Sequence, residues 1–164
     1  MGITLLFLLA TLVLVYFGVD RLIYPHLASL GPLAPLLTGA FYTFGSTTPF
    51  SMVMTIELME GGNPFVIAVA ACAVAATVDC LLFSVVKDAL EKSISRLRGK
   101  LKIGAGPLAP AYPIFGFLIF GSPLPDELAL VLMSVTRIRL VSLWLVVFFS
   151  KLFTLLMLWR AFVA

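Results

Sequence analysis

The chain has 164 residues, of which 62% are hydrophobic and 12% are charged, and its formal net charge is +3. A soluble domain of this length has too much surface for its volume to bury so many apolar side chains, whereas a lipid bilayer tolerates them. The composition therefore excludes an ordinary soluble domain and predicts one all-α integral membrane domain over residues 1–164.

The first apolar stretch, Ile3–Val19, predicts a spanning helix within segment 1–26. About 17 residues give about 25 Å of helix, which is marginal but sufficient to cross the hydrocarbon. No basic residue precedes the stretch and no small-residue cleavage pattern follows it, so we expect a retained helix rather than a signal peptide. Asp20, Arg21 and His26 mark its exit from the membrane.

The second apolar stretch, Leu27–Ile56, carries no charge but is interrupted by proline and glycine. Proline removes a backbone donor and clashes with the preceding helical turn. Irregular backbone at membrane depth persists only where protein or a wet cavity covers it. We therefore expect a re-entrant hairpin with its tip near Gly45–Pro49 and a return arm over Ser51–Met59. With the helix that follows, it forms a first unit over residues 27–86.

Pro64 occupies the favoured first position of the next predicted helix, Pro64–Val86, whose one charge is Asp79. The segment 87–102 is rich in lysine and arginine, and the helical spacing of its first part predicts that it extends this helix out of the membrane. By the positive-inside rule it is expected to be cytoplasmic, which also places the N-terminus in the cytoplasm. The predicted location is therefore the cell membrane, with several passes.

A second uncharged stretch broken by proline and glycine, Ile103–Pro125, predicts another re-entrant hairpin. Its tip is expected near Gly121–Asp126, and its return arm over Glu127–Thr136. A last spanning helix, Leu140–Trp159, carries one charge, Lys151. Together these elements form a second unit over residues 103–164, which enters the membrane from the opposite face.

The two units also share a short sequence. Phe44-Gly45-Ser46 and Phe120-Gly121-Ser122 align at an offset of 76 residues, and each lies at a predicted hairpin tip. Broken hairpins of opposite orientation are typical of the inverted repeats of transporters. The predicted fold is therefore three spanning helices plus two Pro-broken re-entrant hairpins in an inverted-topology repeat.

The tip of the second unit carries a resemblance to a known family. The run Phe120–Leu128, FGSPLPDEL, resembles the Pro-x-Pro-(Ser/Asp)-Glu hairpin signature of the DedA family, also called the VTT-domain or SNARE-associated Golgi protein superfamily. The run Asp79–Lys87 is similar to the family's Gly-Asp-x3-Tyr-x2-Gly-Arg. Met52 stands where the family has a glutamate in its first hairpin. The resemblance covers most of the chain after about residue 30. It implies a transporter or lipid translocase that moves polyprenyl-phosphate or phospholipid and depends on the proton-motive force.

Two ionisable residues fall near the middle of predicted spanning helices, where charges are costly. Under the 76-residue offset Lys151 corresponds to Ala75, which is one helical turn from Asp79. An Asp79–Lys151 ion pair is therefore geometrically feasible. It would act either as a gate or proton-linked pair, or as a structural pair that fixes helix packing.

The other candidate residues have two interpretations each. Asp126 and Glu127 could take up protons or hold a cation or headgroup, or they could cap the return helix. Glu57 could face a cavity, or it could lie at the interface beside Glu60.

Polar residues near the hairpins could contact a lipid headgroup. The hydroxyls of Ser46, Thr47 and Ser122 could donate to a phosphate, or could satisfy backbone groups that proline frees. Arg137 and Arg139 could attract an anionic headgroup, or could serve only as positive-inside anchors.

The sequence contains no metal-ligand cluster, nucleophilic triad or phosphate-binding loop, so we expect neither an enzyme nor a cofactor. The leading hypothesis is a transporter or lipid translocase whose partners are membrane lipids and protons. A non-transporting structural or assembly subunit and an ion channel are the alternatives. A homodimer is one arrangement open to so small a domain, and nucleic acid is not an expected partner.

Overall fold

The computed structural model describes residues 18–44, 47–101 and 138–163, together with positions 13, 16, 114, 117, 118, 120 and 133. Within these ranges the side chains at 19, 20, 86, 88–101, 162 and 163 are not described. The described residues form five α helices, one short 3-10 helix and no strand, which confirms the all-α prediction. The α helices are α1 (Val19–Ala28), α2 (Ala34–Phe41), α3 (Thr48–Gly61), α4 (Pro64–Leu101) and α5 (Leu140–Val163).

Two of these helices are long and apolar enough to cross a membrane. The apolar part of α4 is Pro64–Val85 and that of α5 is Leu140–Ala161, with mean hydropathies of 2.4 and 2.1. Only 33% and 28% of these windows are buried within the protein, whereas the core helix of a soluble protein is mostly buried. The outer face of α5 exposes a row of large apolar side chains at four-residue spacing, namely Leu145, Phe149, Phe153 and Met157. Such an exposed apolar row favours contact with lipid acyl chains.

Helices α4 and α5 pack antiparallel. Near one end the Cys80 thiol contacts the Leu140 carbonyl, and near the other Cys72 and Ala68 pack in one cluster with Leu155 and Trp159. Between α4 and α5 lies a second apolar cluster, which includes Phe83 of α4 together with Phe120 and Met133. Small alanine side chains on α4 let the two helix backbones approach closely, as in many membrane helix pairs.

A hydrogen bond between two uncharged side chains also joins α4 and α5. The indole N–H of Trp144 donates to the Thr77 hydroxyl at 3.1 Å, and that hydroxyl donates to the Ala73 carbonyl at 2.8 Å. We expect Thr77→Val to lower the free energy of unfolding by about 0.6 kcal/mol, an average value for such bonds in membranes. Unfolding of the purified protein in mixed micelles would measure it. Thr77→Ser keeps the hydroxyl and is the control; an equal loss in both variants would contradict the assignment.

Helices α2 and α3 form a helix–turn–helix that packs against α4. Pro35 and Pro49 each lie in the first turn of their helix, where the missing N–H does no harm. Helix α3 contains the whole predicted return arm, Ser51–Met59. With 8 and 14 residues, the two helices extend about 12 and 21 Å, each shorter than a bilayer core.

Gly39 is the point of closest approach between α2 and α4. A Cβ atom at this position would lie well inside the contact distance of the Ala71 backbone carbonyl. Since backbone atoms on both helices meet here, no side chain can move aside to make room. The absence of a side chain at Gly39 therefore sets the distance between α2 and α4.

Helix α1 begins directly after Gly18, which has a φ of 71°. The predicted membrane exit at residues 20–26 lies inside helix α1, which continues to Ala28. Leu27 at its end is buried in a cluster with Ala34, Met54 and Leu58. Burial of this apolar side chain stabilises the end of α1 against α3. Most of Ile3–Val19, and the predicted second hairpin, lie outside the described residues.

The other helix boundaries agree closely with the prediction. Pro64 begins α4 and Leu140 begins α5, as predicted. Helix α4 continues past residue 86 to Leu101, so the basic segment extends this helix by several turns, as its helical spacing predicted.

Candidate functional site

An ion pair between α4 and α5 is the most unusual feature of the core. The Lys151 ammonium lies 2.8 Å from an Asp79 carboxylate oxygen, and both side chains are 0% exposed. The structure thus contains the pair that the spacing of the two units made feasible. Along α5, Lys151 lies about 16 Å from Leu140 and about 15 Å from Ala161, halfway between the ends of the apolar segment.

Lys151 also holds the end of helix α2. Its ammonium donates to the Tyr42 carbonyl at 3.3 Å and lies 4.8 Å from the centre of the Tyr42 ring. Tyr42 is the C-cap of α2, where carbonyl groups lack helical partners and carry partial negative charge. The buried cation is therefore surrounded by a carboxylate, a helix C-terminus and an aromatic face.

The turn between α2 and α3 is held by threonine hydroxyls. Thr48 donates to the Tyr42 carbonyl at 3.0 Å, and Thr43 donates to the Ala75 carbonyl on α4 at 3.2 Å. Thr47 donates to the Phe41 carbonyl at 2.6 Å. These bonds satisfy carbonyls that the break in the helix leaves without partners. For Thr47, the structure shows the second of the two predicted uses of the hydroxyl.

The energetics of this pair differ from those of a surface salt bridge. Removing two charges from water costs several kcal/mol for each ion, and only good geometry with additional hydrogen bonds offsets it. Here the Tyr42 carbonyl supplies such a bond, and the low-dielectric surroundings strengthen the attraction. Removing one of the two charges would therefore lower the free energy of unfolding. The ion pair holds the turn, α4 and α5 together.

Two neighbouring cavities lie along α1 and α3, and α2 also lines the first of them. We call the first the apolar groove; it has a volume of about 300 Å³. Its lining residues are Ile23, Leu27, Leu37, Thr38, Phe41, Thr47, Phe50, Ser51 and Met54. We call the second the charged cleft; it has a volume of about 450 Å³ and is lined by Arg21, Tyr24, Glu57, Glu60 and Gly61.

The structure also gives the positions of Glu57 and Arg139, two further predicted site residues. Glu57 lines the charged cleft beside Glu60, and neither Asp79 nor Lys151 lines either of the two cavities. Arg139 is exposed, and its carbonyl accepts the Leu143 N–H in the first turn of α5. Five predicted residues lie outside the described residues, namely Ser46, Ser122, Asp126, Glu127 and Arg137.

Sequence reasoning missed two parts of the site. The first is Tyr42, which contributes both its carbonyl and its ring to Lys151. The role of Tyr42 could have been predicted from its position two residues before the Phe44-Gly45 tip, because carbonyls at a broken helix end need donors. The second is the charged cleft, where Arg21 and Tyr24 of α1 lie opposite the acids of α3, an arrangement that no local pattern indicated.

Among the described residues, no group of three histidine, cysteine or acidic side chains could hold a metal ion. Comparison with protein-family models, with curated proteins and with solved structures found no match to this chain. The functional assignment therefore depends on the residues and on their geometry.

Proposed function

We propose that this protein is a membrane transporter or lipid translocase, linked to protons, that moves an amphiphile such as a polyprenyl-phosphate or phospholipid across the bilayer. The observation that carries the proposal is the buried Asp79–Lys151 pair bound to the end of a broken helix. Ionisable residues at mid-span and discontinuous helices are features of transport pathways. The resemblance of Asp79–Lys87 and Phe120–Leu128 to DedA signatures adds support.

In this proposal the ion pair holds the α2–α3 turn in place until Asp79 is protonated. While Lys151 binds both Asp79 and the Tyr42 carbonyl, the α2–α3 turn is held against α4 and α5. Protonation of Asp79 would remove its charge and weaken this contact, so a proton could release the turn. The apolar groove begins at the turn, with Phe41 and Thr47, and offers an apolar path beside α3.

The complete architecture belongs to the same proposal. Three spanning helices and two re-entrant hairpins, inserted from opposite faces of the cell membrane, would bring two turns together at its centre. The α2–α3 helix–turn–helix supports the first hairpin because both helices are too short to cross alone. Glu127 and Asp126 would be the acids of the second turn, and the N-terminus and segment 87–102 would face the cytoplasm.

Reconstitution tests the proposal. The purified full-length chain is placed in liposomes that contain a fluorescent phospholipid or a labelled polyprenyl-phosphate, with and without a pH gradient. Loss of headgroup signal to an impermeant quencher measures translocation. We expect the unmodified chain to translocate and the double variant Asp79→Asn with Lys151→Met to lose at least tenfold in rate. Glu127→Ala is expected to lose activity as well.

The double variant removes both charges and leaves neither ion alone in the core, so the loss would report on function rather than on insertion. Thr77→Val, on the same helix, is the control and should translocate at nearly the unmodified rate. Wild-type rates in both the double variant and Glu127→Ala would show that the site assignment is wrong.

A structural or assembly subunit is the second candidate. The observation that favours it is the complete burial of Asp79 and Lys151, neither of which lines the groove or the cleft. Such a pair would only fix the packing of the helices. An unmodified chain that is inactive alone in vesicles, but active with a partner, would favour this candidate. Single-channel currents would instead indicate an ion channel.

A further inference from the structure

The charged cleft and the apolar groove follow one another along the same two helices. On α3 the lining changes from Met54 in the groove to Glu57 in the cleft, one turn later. On α1, which runs the other way, it changes from Leu27 in the groove to Tyr24 in the cleft. A molecule along this helix pair would therefore meet an apolar surface at one end and a charged surface at the other.

The groove suits an apolar chain. The three hydroxyl residues that line it, Thr38, Thr47 and Ser51, donate to the backbone carbonyls of Pro35, Phe41 and Thr38. Their donors are therefore already used, and the rest of the lining is aliphatic or aromatic. A volume of about 300 Å³ is at the lower end for ligand pockets and can hold part of an acyl chain.

The cleft contains charges of both signs. Arg21 and Glu60 are both exposed, and within the described part of the chain neither makes an ion pair. The cleft of about 450 Å³ that they line leaves space for a group between them. A guanidinium recognises a phosphate, and carboxylates recognise a primary ammonium by hydrogen bonds. A headgroup that contains both groups is complementary to this arrangement.

We infer that α1 and α3 together bind one phospholipid with a primary amine in its headgroup. The phosphate lies at Arg21, the ammonium lies at Glu60, and an acyl chain lies in the apolar groove. Bound in this way, the lipid joins α1 to α3. The inference concerns binding only, so it stands whether or not the protein translocates lipid.

Thermal unfolding of the purified full-length protein in detergent tests this inference. Phosphatidylethanolamine, phosphatidylcholine and phosphatidylglycerol with the same acyl chains are added at increasing concentration. We expect phosphatidylethanolamine to raise Tm the most, because it alone has both a phosphate and an N–H donor group. Choline lacks the donors, and phosphatidylglycerol lacks the cation. Equal shifts for all three lipids, or the largest shift with phosphatidylglycerol, would overturn the inference.

Two variants locate the site. Glu60→Gln should lower the apparent affinity for phosphatidylethanolamine about tenfold, the factor expected for one charge-assisted hydrogen bond, and remove the preference over phosphatidylcholine. Arg21→Gln should weaken the binding of every lipid that carries a phosphate. Arg160→Gln, which removes an exposed cation outside the cleft, is the matched control and should keep the preference. An unchanged preference in Glu60→Gln would place the lipid elsewhere.

Discussion

Lys151→Met is expected to destabilise the protein by about 3–5 kcal/mol, the range measured when one partner of a buried ion pair is removed. Methionine has nearly the length of lysine without its charge, so the change leaves Asp79 charged in a core that is 0% exposed. It also removes one of the two side-chain donors to the Tyr42 carbonyl, where the α2–α3 turn is held. Titration with a denaturing detergent, followed by circular dichroism, would measure the free energy of unfolding.

The double variant Asp79→Asn with Lys151→Met should recover most of this loss, because no charge then remains unpaired. Lys87→Met is the control: it removes an exposed lysine from the same helix as Asp79 and should change stability by less than about 0.5 kcal/mol. If Lys151→Met were as stable as the control, the pair would not hold the turn on α5. If the double variant were stable but inactive in translocation, the pair would have a role beyond packing.

Gly39→Ala is expected to destabilise the protein by about 1–3 kcal/mol, as overpacking of a close contact does. The added methyl group meets the backbone of Ala71, so α2 and α4 must separate. Separation would also move the turn that carries Tyr42 and Thr43 away from Lys151 and Ala75. We therefore expect a lower Tm in detergent together with reduced translocation.

Leu36→Phe is the control for Gly39→Ala, since it enlarges an exposed side chain of the same helix. It should leave Tm nearly unchanged. Gly39→Leu should be more destabilising than Gly39→Ala, because the larger side chain needs a larger separation. A Gly39→Ala protein with unchanged Tm would mean that the two helices are not in close contact at this point.

The two predictions examine different parts of one arrangement. Gly39 sets how closely the helix–turn–helix approaches α4, and Lys151 provides the charge that binds its turn. Because the two positions act on the same turn, their effects on stability are not expected to be additive. A smaller combined loss than the sum of the single losses would indicate that both act through the Tyr42 contact.

Much of the fold followed from the sequence by itself. The apolar composition, the two long apolar runs and Pro64 at a helix start predicted all-α structure and the positions of α4 and α5. The proline and glycine pattern predicted the return arm that became α3. The spacing of Asp79 and Lys151 even made their pairing feasible. These features depend on local periodicity and on the cost of burying polar groups, and both can be evaluated from neighbouring residues.

Only the tertiary structure decided which groups complete the site. Tyr42 contributes a carbonyl and a ring to Lys151 across 109 residues of chain, and Gly39 meets the backbone of Ala71. Arg21 joins the acids of α3 in one cleft because Leu27 is buried against α3 and brings α1 alongside it. Such contacts are set by how the helices pack. Packing depends on the shapes of side chains that are far apart in the sequence. No local sequence pattern contains this information.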